Sequence, residues 1–311
     1  MRVLVTGGTG MVGKRLVGRL LERGDVPVVL TRRAGAARSM FGPRVEVVEG
    51  DPVQPGAWTA SVEGCDAVVN LAGENLFGRR WNAEFKQRLI DSRVKTTENV
   101  AQAILRRPIG PNGQKKVLVN GSAIGIYGPH GDEELAEDSP PHDDFLGRLC
   151  LDWEQAARAV ESAGVRSVQV RTGIVLDREG GALAQLLTPF KLFVGGPVGS
   201  GRQVMSWIHH ADLVGLLLLA LDNAGCHGPM NGTAPNPVTN AEFSRALGKV
   251  LHRPAFMPTP GFALRLLLGE SADIVVNGQR VRPAKALALG YAFQYPTIDA
   301  ALAEIFRKQA G

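Results

Sequence analysis

Residues 1–13 read MRVLVTGGTGMVG. Arg2-Val3-Leu4-Val5 is a short apolar and β-branched run, the pattern of a buried strand. Thr6-Gly7-Gly8-Thr9-Gly10 is a turn that glycine makes best, and Met11-Val12 opens a helical pattern through Leu16, Val17, Leu20 and Leu21. Gly8, Gly10 and Gly13 satisfy G-x-G-x-x-G, and Gly7 adds a second glycine series at three-residue spacing. Such glycines make the tight strand-to-helix turn, let backbone approach a pyrophosphate, and let the helix pack close to the strand. The helix start then offers free N–H groups and a positive dipole end to phosphate. A strand before and a helix after turn a weak glycine pattern into a dinucleotide-binding reading.

Outward from that stretch, the strand pattern repeats at Val26–Leu30, Val45–Val48, Ala67–Leu71, Lys115–Asn120 and Arg166–Arg171. Six strands alternating with helical patterns predict an α/β protein with a Rossmann-type doubly wound parallel sheet. Trp81 to Arg106 holds no Gly or Pro and reads as one long helix; Asp152 to Ala163 reads as another. That helix from Trp81 has two readings, a homodimer face or a helix packed on its own sheet. After Gly173 the pattern loosens, with helices expected at Ala211–Leu221, Asn240–Leu251 and Phe262–Leu268. The expected division is a dinucleotide domain over 1–173, with returning segments from the second half, and a smaller mixed α/β substrate domain over 174–311.

The 311 residues suffice for both parts, and 44% hydrophobic with 21% charged residues is ordinary globular composition. Net charge is +5, but the cations are scattered, so no nucleic-acid face is expected; an anionic small ligand suits the excess. Cys65, Cys150 and Cys226 match no metal spacing, and their sparse, odd count suits a reducing compartment. No metal is expected. The most apolar run, Leu213 to Leu221, is too short to cross a bilayer, so no membrane partner is expected. No leader precedes the first strand, and the expected location is the cytoplasm.

Ligands of open α/β sheets bind beyond the carboxyl ends of the strands. The second strand ends in Thr31-Arg32-Arg33, with no acid between Val26 and Gly35. Two guanidiniums there suit a ribose 2′-phosphate, hence NADP rather than NAD; the alternative is a solvated basic turn. Asp51 follows the third strand as an acceptor for adenine or as a helix cap. Asn70-Leu71-Ala72-Gly73 brings nearly bare backbone to the cofactor. Ser122, in the loop Gly121-Ser-Ala-Ile-Gly-Ile-Tyr127-Gly128, stands where a hydroxyl would face nicotinamide or a substrate carbonyl.

The segments T-G-G-T-G-x-V-G, N-L-A-G, G-S-A-x-G-I-Y-G and Arg171-Thr172-Gly173 resemble those of extended short-chain dehydrogenases/reductases. Glu74-Asn75, Asp152-Trp153-Glu154 and G-S-G-R-Q followed by S-W-I-H at 199–209 resemble the epimerase-family, sugar-nucleotide-epimerase-like branch. That branch carries a C-terminal domain of unknown function, here about 250–305. The resemblance implies NADP contacts at Gly7, Thr9, Gly10, Met11, Val12, Thr31, Arg32, Leu71 and Ala72, joined by Arg93, Val175 and Arg88. For the two helix-borne arginines, a solvated face is the alternative.

One departure bears on activity. The larger family uses a Tyr with a Lys four residues on, the lysine lowering the phenol's pKa so that it acts as a general base. No Tyr-x-x-x-Lys exists in this chain, and Phe145, Leu149 and Cys150 stand where the family places it. Candidate substitutes are Glu74, Tyr127, His130, Asp143, Asp144 and His209, with Cys150 as a nucleophile and Arg202 as an anion holder. Two functions are expected from this: an NADP(H)-dependent oxidoreductase or epimerase-like enzyme for a small or nucleotide-linked substrate, with Ser122, Tyr127 and Glu74 at the reacting centre, or a non-catalytic NADP(H)-binding regulatory protein.

Overall fold

A computed structural model describes residues 1–307. Its elements in chain order are β1 (Arg2–Thr6), α1 (Met11–Glu22), β2 (Val26–Thr31), α2 (Ala34–Phe41), β3 (Glu46–Glu49), α3 (Thr59–Glu63) and β4 (Ala67–Asn70). There follow α4 (Ala83–Asp91), α5 (Val94–Arg106), β5 (Val117–Ala123), β6 (His130–Leu135), α6 (Phe145–Arg158) and β7 (Arg166–Thr172). The second half holds β8 (Ile174–Leu176), α7 (Gly181–Lys191), β9 (Val204–Met205), β10 (Trp207–His209), α8 (His210–Asp222) and β11 (Gly228–Gly232). It ends with β12 (Val238–Thr239), α9 (Asn240–Leu251), α10 (Gly261–Leu268), α11 (Asp273–Val276), β13 (Gln279–Val281), α12 (Ala284–Ala288) and α13 (Ile298–Ile305).

The main sheet has seven parallel strands in the order β3-β2-β1-β4-β5-β7-β11. The chain runs outward from β1 to β3, then returns to place β4 on the other side of β1, which makes the β1/β4 boundary the topological switch point. Val3, Val5, Val69 and Val119 face α1 and α8, while Leu4, Val28, Val68 and Leu118 face α3, α5 and the end of α6. Both faces are buried, as a parallel sheet requires. A separate apolar cluster around Trp207, Phe243 and Leu247 packs α7, α9 and α13 together.

Three sequence expectations are corrected. The seventh strand, β11, is Gly-Pro-Met-Asn-Gly, a composition that reads as a turn; pairing along β7 from Gly228↔Val168 to Gly232↔Thr172 makes it a strand. The helix expected over Trp81–Arg106 is two. Asn82 caps α4 by accepting from the Phe85 N–H at 2.8 Å, and the Trp81 indole donates instead to the Leu76 carbonyl at 2.8 Å. At the break, the Ser92 hydroxyl accepts from the Glu74 N–H at 3.0 Å and the Arg93 guanidinium donates to the Glu74 carbonyl at 2.9 Å. Tertiary bonds to the loop after β4 therefore set a corner that periodicity does not show. The helix expected from Asp152 begins at Phe145, where Asp144 accepts from the Gly147 N–H at 2.7 Å; its last stretch, Ala159–Ala163, is a 3₁₀ turn.

Candidate functional site

The switch point is built by close backbone contact. Gly7 has φ +64°, and a β-carbon on it would lie 2.7 Å from the Leu71 carbonyl oxygen. A β-carbon on Gly13 would lie 2.2 Å from the Gly7 carbonyl oxygen. Only glycine lets α1 settle onto the turn and the turn onto the β4 loop. Thr6 Oγ1 accepts from the N–H groups of Leu71 and Ala72, each at 3.1 Å, and donates to Asn70 Oδ1 at 2.5 Å. It thereby fixes Leu71–Gly73 beside the glycine turn. The start of α1, at Gly10, Met11 and Val12, has neither a side-chain cap nor an acid in its first turn. Its leading N–H groups remain available to an anion. Thr9 sits half-buried beside them. Met11 lies against Gly180 and Gly181, and β8 brings Val175 to the same place.

At the end of β2, Thr31 Oγ1 accepts from the Arg33 N–H at 3.2 Å. Arg32 and Arg33 are exposed. Among the described residues, neither side chain has an ion-pair or hydrogen-bond partner, whereas Arg15 on α1 is paired with Asp177. Asp51 Oδ1 accepts from the Val53 N–H at 3.1 Å, so it braces its own loop.

The opposite wall comes from α4, α5 and α6. Arg93 stands at the α4/α5 corner, its guanidinium stacked 5.4 Å from the Trp153 ring and lying against Gly73. Nη2 donates to the Glu74 carbonyl at 2.9 Å and Nη1 to the Leu89 carbonyl at 3.3 Å, yet among the described residues no carboxylate pairs with it. Burial without a counter-ion pulls its pKa down, with Cys150 and Glu74 acting weakly the other way. One turn earlier, Arg88 stacks 5.3 Å from the Phe85 ring, and its Nε is buried without a partner. Glu74 therefore serves the corner through its backbone.

Ser122 and Tyr127 turn into a different environment. The Ser122 hydroxyl donates to Glu154 Oε1 at 2.7 Å. Arg171 grips the same carboxylate with Nε to Oε1 at 2.8 Å and Nη2 to Oε2 at 2.9 Å. Its Nη1 donates to the Tyr127 hydroxyl at 2.8 Å, which in turn donates to Asn231 Oδ1 at 2.7 Å. Tyr127 is wholly buried, and desolvation raises its pKa against the opposing pull of Arg171. Both hydroxyls are thus closed into one buried network.

The remaining candidates disperse. Cys150 is enclosed, and burial, aided by Glu154, pushes its thiol up to about 12, which leaves no thiolate nucleophile. Asp143 pairs with Arg148 at 2.7 Å, and Asp144 caps α6. His130 and His142 meet edge to face, with ring centroids 6.1 Å apart. His209 Nδ1 accepts from the Ala211 N–H and Nε2 lies 2.9 Å from Glu304. Arg202 is exposed in its glycine-rich loop. Thr97 and Asn120, which the sequence reading did not single out, complete the floor: Asn70 Nδ2 donates to Thr97 Oγ1 at 2.9 Å and Asn120 Oδ1 at 2.7 Å, and the Trp153 indole donates to Thr97 at 2.9 Å. The available signal was Asn120 in the middle of valine-rich β5, where a buried polar group must find a partner.

Residues 3–231 match the NAD dependent epimerase/dehydratase family, and residues 259–305 match a domain of unknown function, DUF1731. The chain belongs to the NAD dependent epimerase/dehydratase family. Epimerase family protein SDR39U1 of Bos taurus is 43% identical over 310 residues, covering 98% of this chain and 99% of the relative. The chloroplastic SDR39U1 homolog of Arabidopsis thaliana is 41% identical over 311 residues, covering 99% of this chain and 87% of the relative. A crystal structure of the human epimerase family protein SDR39U1 (isoform 2) with NADPH superposes with a TM-score of 0.87 at 39% identity, over 99% of this chain and 100% of that one. Family membership accounts for the glycine turn and the sheet order. In this chain no Tyr-x-x-x-Lys is present, and Ser122, Glu154, Arg171 and Tyr127 form a closed network. No helix among the described residues is long and apolar enough to cross a membrane.

Proposed function

We propose that this epimerase-family protein binds NADP(H) at the β1/β4 switch point and is an oxidoreductase or epimerase-like enzyme for a small or nucleotide-linked substrate. The observation that carries the reading is the fit between the close-packed Gly7/Gly13 turn and the two unpaired guanidiniums at the end of β2. The human relative's structure with NADPH supports it. Gly7, Thr9, Gly10, Met11 and Val12 would hold the pyrophosphate, and Thr31, Arg32 and Arg33 the 2′-phosphate. Leu71, Ala72, Gly73 and Val175 would line the cofactor's course, with Arg88 and Arg93 on the facing wall. When bound, the nicotinamide supplies or accepts hydride. The chain's own contribution at that end is charge and shape: Arg93 is a desolvated cation able to meet an oxygen that gains negative charge.

Isothermal titration with NADPH and NADH tests the reading. The double variant Arg32→Ala/Arg33→Ala is expected to lose at least tenfold in NADPH affinity and little in NADH affinity. Equal affinities of the parent for both cofactors would remove the basis for NADP. A second reading, a non-catalytic NADP(H)-binding regulatory protein, is favoured by the closure of Ser122 and Tyr127 into a buried network. Steady-state NADPH oxidation with carbonyl compounds or nucleotide sugars would eliminate it.

A further inference from the structure

Eight of the fourteen large hydrophobic side chains that the fold leaves exposed lie in three short segments: Leu192–Val194, Phe256–Met257 and α10. Those segments form one surface. Met257 N–H donates to the Gly195 carbonyl at 3.3 Å, Thr259 N–H to Pro197 at 2.8 Å, and α10 begins two residues later. Helix α10 reads GFALRLLL, and none of its residues is buried; Phe262, Leu266 and Leu267 are each at least 70% exposed. A contiguous apolar face of this kind is uncommon on a free surface and marks a contact site.

The charge around it says what the contact is. From Gly180 to Ala211 and from Phe243 to Gly269 the sequence contains no Asp or Glu, but it holds Lys191, Arg202, Arg245, Lys249, Arg253 and Arg265. Arg253 lies 4.4 Å from the Phe193 ring, on the apolar face itself. Arg80 reaches Gly269 at the end of α10. Of the acids near it, Asp273 is taken by Arg265 at 3.0 Å, Glu270 by Lys86 at 2.7 Å, and Glu242 faces Arg245. Exposed phenylalanine and leucine beside Lys191, Arg202 and Arg253, none of which is in an ion pair among the described residues, are the features of an element that lies in the interface of an anionic bilayer.

We propose that α10 and the loops at 192–197 and 253–260 form a peripheral docking face for anionic lipid membrane. The apolar side chains enter the headgroup boundary, and Lys191, Arg202 and Arg253 meet lipid phosphate. Docking of this kind needs no segment that crosses the bilayer, and no helix among the described residues is long and apolar enough to cross one.

Co-sedimentation of the full-length protein with vesicles tests this, using phosphatidylcholine alone and equal phosphatidylcholine and phosphatidylglycerol. Binding is expected to the anionic vesicles only, and to weaken at least tenfold at high salt. The variant Phe262→Ser/Leu266→Ser/Leu267→Ser is expected to lose it while keeping its circular dichroism and melting temperature, since these side chains support no core. Lys191→Glu/Arg253→Glu is expected to lose it as well. No binding to anionic vesicles overturns the proposal, as does equal binding by parent and triple variant. A self-association that the triple variant abolishes, without vesicle binding, would instead assign the face to a second copy of this chain.

Discussion

Arg171 and Glu154 form a buried bidentate ion pair, Nε to Oε1 at 2.8 Å and Nη2 to Oε2 at 2.9 Å, with each side chain 8% exposed. It ties the carboxyl end of β7 to the middle of α6 and recruits Ser122 and Tyr127. Removing one partner leaves the other charge desolvated and alone, which costs far more than the pair contributes. Glu154→Gln is therefore expected to lower unfolding free energy by about 3 kcal/mol or more, read by urea denaturation. Tyr127→Phe removes one hydroxyl from the network and is expected to cost about 1–2 kcal/mol. If Tyr127→Phe instead left stability unchanged and abolished activity, the phenol would belong to the reacting centre.

Two glycines in α1 make opposite predictions. A methyl on Gly13 would overlap the Gly7 carbonyl, which is backbone and cannot yield. Gly13→Ala is expected to destabilise by about 3 kcal/mol or more and to weaken NADPH binding with it. Gly18, on the same helix, has nothing within 4 Å of its would-be β-carbon. Gly18→Ala is expected to stabilise by about 1 kcal/mol through helix propensity alone. Thermal melts and isothermal titration on the pair separate packing from propensity.

How far the sequence disclosed this can be seen from the same elements. The glycine turn, β1 and the other five expected strands were legible because valine runs and glycine spacing are local signals. Strand β11 was not, because Gly-Pro-Met-Asn-Gly becomes a strand only through its pairing with β7. The α4/α5 corner was not, because Ser92 and Arg93 break the helix to bond a loop eighteen or nineteen residues away. The cofactor candidates converge on the switch point because strand ends of a parallel sheet converge there. Ser122 and Tyr127 show the limit: the sequence reading puts both in a loop after Asn120, whereas β5 runs on through Ser122 to Ala123 and Tyr127 closes a 3₁₀ turn, and sequence does not show that Glu154 and Arg171 hold their hydroxyls.

His209 and His210 stack 4.2 Å apart, with Tyr295 on the far face of His209, and are faced by Arg15, Asp177 and Glu304. Burial, then the neighbouring cations, lowers each ring's pKa from 6.5 to about 4. The unfolded chain therefore binds protons between pH 6.5 and pH 4 that the folded chain refuses. Stability is full above pH 6.5 and falls as pH drops toward 4. Melting temperatures from pH 7.5 to 4.5 are expected to fall for the parent and to fall less steeply for His210→Gln. Parallel curves would mean that His210 is free to protonate in the native state.

All three thiols are buried, and burial pushes Cys65 up to about 11 and Cys150 up to about 12. A thiol reagent at pH 8 is expected to label none of them at a measurable rate until denaturant is added, when all three react. Rapid labelling of Cys150 in the native protein would show that the α6 wall opens and would restore it as a candidate nucleophile.

Arg93 separates a structural corner from a binding group. Its donors to Glu74 and Leu89 hold the loop after β4, and any residue lacking them loosens that loop. Arg93→Lys keeps the charge but loses the planar fork and its stacking on Trp153; Arg93→Met keeps bulk and loses both. If Arg93 only shapes the corner, the two variants lose similar stability and bind NADPH alike. If its unpaired charge faces the cofactor or substrate oxygen, Arg93→Met is expected to lose at least tenfold more NADPH affinity than Arg93→Lys at matched stability. Titration at two salt concentrations supplies the control, because a desolvated cation contributes nearly the same at both, whereas an exposed one is screened.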